Sequence, residues 1–205
     1  MTAAATTQER GVWKDLEMAS PQTLSEADRR LVASWAADCV ERVLALFEAE
    51  APHDLRPREG IARVRAFARG EVSAADEIRR RVVAGRAAAD VRTPAAIAAA
   101  RAVGQATGVA HMGAHALGAA AYAAEAIGLA AVDPHEAVAE EIRWQLDHMS
   151  PATRAALRRL PPLGESRAGP LGPGLLTTGL RASIVRQIQD SLMQDASPAS
   201  SSPDD

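Results

Sequence analysis

Among 205 residues the chain has one cysteine, Cys39, and one lysine, Lys14, and each scarcity removes a class of chemistry. A single thiol excludes an intramolecular disulfide framework and points to a reducing, cytoplasmic setting. With Lys14 in a flexible lead-in, the chain has no Gly-rich phosphate loop ending in Lys-Ser/Thr and no buried Schiff-base lysine. Three Trp, one Tyr and two Phe are too few for a platform on which single-stranded nucleic acid stacks. The opening MTAAATTQERGVWKDLE lacks the basic segment and apolar core of a secretion signal, and no membrane-crossing run follows it. No alternating stretch suggests a strand, and no repeat of roughly 20–50 residues is visible.

What the chain has in excess is alanine, concentrated in one place. Residues 94–132 hold 18 alanines and five glycines, with Arg101 and Glu125 as their only charges. A helix apolar nearly all round must be buried all round or sit in a membrane. The first applies here, because the neutrality comes from small residues, whereas transfer into lipid depends on Leu, Ile, Phe and Val. The stretch reads as the central helix of a bundle, or as two helices broken at Gly104 to Gly108. His111, His115, Gly118 and Tyr122 follow steps of 4, 3 and 4, which on one helix places them on one face.

The rest of the chain supplies amphipathic neighbours. Ser25 caps a helix whose apolar stripe is Leu31, Trp35, Cys39, Val43, Leu46 and Phe47, running to Glu50. Pro52 ends it, and Pro57 favours a second helix reaching Gly70. Ser73 caps a third, through Ile78, Val82 and Val83 to about Ala89. Thr93-Pro94, Asp133-Pro134 and Ser150-Pro151 repeat one device, a capping side chain before a proline in the first turn. The expected architecture is all-α: a single bundle of about six or seven helices over 24–160 around the Ala/Gly-rich centre. A flexible lead-in (1–23), a Pro/Gly linker (161–180), a short amphipathic helix (181–196) and a disordered tail (197–205) complete it.

Net charge is −3, unevenly placed: residues 1–55 hold five basic and ten acidic side chains, residues 56–101 eleven and five. Arginines at helical spacing form a solvated face paired with the preceding acidic helix, so nucleic acid is disfavoured as a partner. Two sets of residues can carry chemistry. His111 and His115 at i and i+4 bring their β-carbons to about 5–6 Å, near enough to share a divalent metal or a substrate group. Zinc needs further ligands, for which Glu71, Asp54 or Glu141 are candidates. Asp54, Arg56 and Arg58 are packed into the loop between two helices, where they can line a pocket, or can cap the helix at Pro57 and hold neighbouring carboxylates. Trp35 and Cys39 share a face that suits core packing, with no base beside the thiol to activate it. No dedicated cofactor motif is present, and nothing in the sequence fixes the oligomeric state.

The blocks SEADRRLVASWAADCVERVL, Phe47-Glu48, Asp54-Leu-Arg-Pro-Arg58, Arg65-Ala-Phe-Ala-Arg-Gly-Glu71 and Ala110-His-Met-Gly-Ala-His-Ala-Leu-Gly-Ala-Ala-Ala-Tyr-Ala123, in that order, resemble the Imm-5-like putative immunity proteins over about residues 24–160. The resemblance implies an all-helical domain that protects a bacterium from a toxin of a contact-dependent or secreted polymorphic system. Arg86 stands where a histidine is expected, and the Gly/Pro segment with the terminal helix falls outside the resemblance. Two functions follow as expectations. In the first, the chain binds and neutralises a cognate toxin, with Asp28, Glu41 and Glu48 meeting a basic surface and no cofactor needed. In the second, it is a small helical enzyme or ligand-binding protein of specialised metabolism, with Asp54, Arg56, His111, His115 and Tyr122 around one cavity.

Overall fold

A computed structural model describes residues 20–194. The expected lead-in contacts of Trp13 and Leu16, and the tail from 197, lie outside the described residues. The architecture is an all-α bundle, and no strand occurs among the described residues. In chain order the helices are α1 (Glu26–Glu41), α2 (Leu44–Glu48), α3 (Arg56–Ala68), α4 (Ala74–Arg80), α5 (Val83–Arg86, continued by a 3-10 turn at Ala87–Ala89), α6 (Pro94–Gly108), α7 (His115–Ala130), α8 (Pro134–Asp147), α9 (Pro151–Leu157) and α10 (Gly179–Gln194). Segments outnumber the expected six or seven because three of the expected helices are each divided, at 42–43, 81–82 and 109–114.

The starts follow from the capping residues. Ser25, Ser73, Thr93 and Ser150 each accept the backbone N–H three residues on, and Asp133 accepts those of His135 and Glu136, which satisfies donors the helix itself leaves open. Proline stands in the first turn of α3, α6, α8 and α9, where its missing N–H costs nothing. Helix α7 has no side-chain cap. Its entry is held by another segment: Gly113 N–H donates to the Thr23 carbonyl and Ala114 N–H to that of Gln22, both at 3.0 Å.

Helices α6 and α7 pack against each other at the centre, wrapped by α1, α2, α3, α5, α8 and α10. Every residue from Ala116 to Ala124 of α7 is buried, as a helix apolar all round requires. Small residues set how close the neighbours come. An added Cβ on Gly104 of α6 would lie 2.7 Å from the Gly85 Cα of α5, so these two backbones meet with no side chain between them.

Three expectations change. Ile78, Val82 and Val83 do not share a buried stripe: the chain turns between α4 and α5, leaving Val82 and Val83 at 49% and 47% exposure. The lead-in is already structural by residue 22, since the buried Gln22 donates to the Ala168 carbonyl (2.6 Å) and accepts from Leu171 N–H (2.9 Å). The Pro/Gly stretch expected as a linker forms no helix before Gly179, yet Leu163, Leu171 and Leu176 are buried in it. Beyond it α10 lies on α7, α8 and α9 with Ile184, Val185 and Ile188 fully buried, each such side chain contributing about 1.5–3 kcal/mol by leaving water.

Gly104→Ala is expected to destabilise the fold by about 1–3 kcal/mol, because the backbones of α5 and α6 must separate. Gly174→Ala, which meets nothing within 4 Å, is expected to be near neutral. Urea midpoints of the two variants test this, and equal midpoints would refute the close-approach reading.

Candidate functional site

The junction between α6 and α7 is where most of the chemistry-capable residues of the Ala-rich stretch gather. Gly108 ends α6 and the chain turns sharply, with the N–H groups of His111 and Met112 both donating to the Gly108 carbonyl at 3.0 and 3.1 Å. His111 is therefore exposed in the turn, while His115 opens α7. The expected single stripe through His111, His115, Gly118 and Tyr122 holds for its last three members only, because the helix that would align the first is broken.

His115 is held in a slot cut by glycines. A Cβ on Gly108 would meet the imidazole at 2.9 Å, and one on Gly118 would lie 2.5 Å from the Gln105 amide oxygen. That oxygen is 2.8 Å from His115 Nδ1, so Nδ1 carries the proton and donates. Burial first, then the nearby His111 and Arg81, lower the His115 pKa from 6.5 to about 4. The ring is neutral at physiological pH and fixed in one tautomer. Tyr122 is buried, and the Arg181 guanidinium lies 4.8 Å from its ring centroid, within 3.4 Å of Glu125.

The other candidates are engaged elsewhere. Arg56 Nε donates to both Asp54 oxygens (2.8 and 3.1 Å), and its Nη2 bonds Asp54 and Asp90. Hydrogen bonding from Arg56 holds the Asp54 carboxyl below the usual range despite some desolvation, and Asp54 in turn raises the arginine. Asp54 also accepts the Arg56 N–H at 3.1 Å just before α3, whose N-cap is Leu55 with no side-chain cap bond, so the expected cap is absent and the loop's arginines hold carboxylates instead. Arg58 is paired with Glu48 at 2.9 and 2.8 Å. No described hydrogen bond or ion pair joins Asp54 or Arg56 to either histidine. Glu71, the candidate third metal ligand, is bound by Arg69 at 2.6 and 2.7 Å. Among the described residues no group of three or more His, Cys, Asp or Glu is placed to hold a metal ion.

Trp35 and Cys39 lie in the core, but the network beside them was not legible. Trp35 Nε1 donates to the Gln145 carbonyl (2.9 Å), Gln145 Nε2 to Glu141 (3.0 Å) and to the Ala120 carbonyl (3.1 Å), and Arg42 Nε to Glu141 (2.8 Å). Burial, with Glu141 and Asp38 nearby, pushes the Cys39 thiol well above its ordinary pKa, so it is not an activated nucleophile. The buried Gln22 and Gln145 and the part-buried Gln105 have no motif around them. The one signal at Gln105 is an amide inside an alanine run.

Comparison with known proteins gives one match. A family model described as Imm-5 like putative immunity protein fits residues 22–152. No curated protein matches, and no solved structure does.

Two outcomes test this geometry. The folded-state pKa of His115 lies below its ordinary value, so its contribution to stability is complete above pH 6.5 and is lost as pH falls toward about 4, where the unfolded chain takes up the proton first. Over that interval the wild type is expected to lose about 3 kcal/mol more than His115→Gln. Parallel urea-midpoint curves for the two proteins would contradict the buried neutral ring. Cys39 is expected to react with a thiol reagent at once in denaturant and in the native protein only as fast as the core opens. Rapid native labelling would place the thiol outside the core.

Proposed function

Since the chain belongs to the Imm-5 like putative immunity protein family, whose model covers residues 22–152, we propose that it binds a cognate protein toxin and neutralises it by occupying the toxin's surface. The family match carries this reading. The state of the polar residues supports binding over turnover: His115 is bonded to Gln105, Asp54 and Arg56 to each other and Asp90, and Glu71 to Arg69. A general acid or base must reach the proton it moves with a pKa near the working pH. His115, lowered to about 4, is poorly matched to that task, and Tyr122 is covered by Arg181.

One part of the expected binding surface changes. Asp28, Glu41 and Glu48 were to meet a basic toxin, yet Asp28 is bonded by Arg159, Glu41 by Arg65 and Glu48 by Arg58. Carboxylates already neutralised at contact distance project little field beyond the Debye length, so these side chains of α1 and α2 do not supply the steering charge.

When candidate toxin domains from neighbouring genes are expressed in turn, co-expression of this chain is expected to restore growth against one of them. His111→Ala, His115→Gln and Asp54→Asn are each expected to keep that protection while folded. Loss of protection in His115→Gln with an unchanged melting temperature, together with an imidazole-shaped pH profile, would replace binding by catalysis.

A further inference from the structure

The described surface pairs most of its arginines with carboxylates, as at Arg58–Glu48, Arg63–Glu77, Arg65–Asp38, Arg69–Glu71 and Arg79–Asp76. The junction of α4 and α5 departs from this pattern. Residues 78–89 hold four arginines and no acid. Arg80, Arg81 and Arg86 are exposed, and none of them is in an ion pair among the described residues. Arg81 donates only to the Ile78 carbonyl, at 2.7 Å. Between these cations stand Val82 and Val83, both about half exposed. Branched aliphatics left open among uncompensated guanidinium groups are the composition of a contact surface rather than of a solvated one.

The face is also held rigid. The Arg81 carbonyl accepts from Thr107 Oγ1 of α6 at 2.8 Å, and Gly85 sits against Gly104. Beside it is a cleft of about 50 Å³, lined in part by Arg80, Val83, Arg63 and Glu77. Glu77 there is already bound by Arg63, and Glu59 at the rim sets one unpaired negative charge against three unpaired positive ones. A surface fixed before binding loses little freedom when a partner arrives.

We propose that this face, Arg80 to Arg86, docks an acidic surface of a protein partner: Val82 and Val83 form the dry centre of the contact, and Arg80, Arg81 and Arg86 pair with the partner's carboxylates. The inference rests on the toxin-binding reading and adds to it the place of docking and the sign of the toxin's surface. Arginine suits that role because its planar fork pairs a carboxylate bidentately. A protein fits better than nucleic acid because, among the described residues, no aromatic is available for stacking at this face: Trp35, Phe47, Phe67 and Tyr122 are buried, and Trp144 is stacked on His148 with Arg42 over it.

The test uses the full chain and two probes, a catalytically silenced form of the toxin domain against which the chain protects in the co-expression screen and a 20-nucleotide single-stranded RNA, the length being roughly that of a few binding-site footprints. Toxin binding is expected to weaken with salt. Arg80→Glu combined with Arg81→Glu is expected to weaken it about 100-fold, mainly through slower association, and Val82→Ser with Val83→Ser about 10-fold, through faster dissociation. Arg167→Glu, an exposed arginine elsewhere, makes the same kind of charge change and is expected to stay within about twofold. All the substituted side chains are exposed, and unchanged melting temperatures confirm that the fold persists. If the toxin binds and the patch variants bind it as well as wild type does, the docking face is wrong while toxin binding stands. If wild type is silent toward the toxin, both fall. If it binds the RNA through the same arginines instead, the partner is nucleic acid.

Discussion

The close packing of α6 against α7 is the constraint from which the rest of this molecule follows. Two helices made almost wholly of alanine and glycine have little apolar area per residue, so they gain stability by approaching their neighbours closely on every side. That requirement explains why α7 is buried from Ala116 to Ala124 and why Gly104 meets Gly85 backbone to backbone. It also explains why the large side chains, Trp35, Phe47, Phe67, Ile184 and Ile188, come from the surrounding helices. A thin centre needs a thick wrapping, and α10 with the Pro/Gly segment before it is part of that wrapping.

Polar groups trapped beside such a centre must be paired, because an unmet buried donor or acceptor costs about 1–3 kcal/mol. Gln22, Gln105 and the amide nitrogen of Gln145 meet this need in three places, while the buried Gln145 Oε1 has no hydrogen-bond partner among the described residues. Gln22 ties the entry of α1 to the C-terminal segment, Gln105 fixes the His115 imidazole, and Gln145 bridges Glu141 to the Ala120 carbonyl. Toward the surface, arginine takes over the same task, as where Arg42, Arg58, Arg63 and Arg65 reach carboxylates of neighbouring helices. The result is a body whose charged and titratable residues are largely committed to structure. Arg80, Arg81 and Arg86 stand together as a group outside that pattern.

Much of this was legible beforehand, and the reasons are local. Ser25, Ser73, Thr93, Asp133 and Ser150 start helices because a short side-chain oxygen reaches the next free N–H, a contact made within one turn of chain. The all-α class and the buried Ala/Gly centre follow from periodicity and composition in the same way. Where helices break was legible only at the centre, where a break was offered at Gly104 to Gly108 and the helix ends at Gly108. Arg42–Val43 and Arg81–Val82 contain no proline or glycine, and the helical pattern runs through both.

Sequence by itself therefore determined the fold class, the capped helix starts, the burial of most of residues 94–132 and the family. Only the tertiary structure decided that His111 lies exposed in the turn while His115 opens α7, and that Arg56 closes on Asp54 and Asp90 instead of on a histidine. It also decided that the Pro/Gly segment is anchored by Gln22 and that Val82 and Val83 face outward between unpaired arginines. The physical reason is range. Capping and amphipathicity act over three or four residues, while the partner of a buried glutamine or an arginine is chosen by which distant backbone or carboxylate the packed helices bring within about 3 Å.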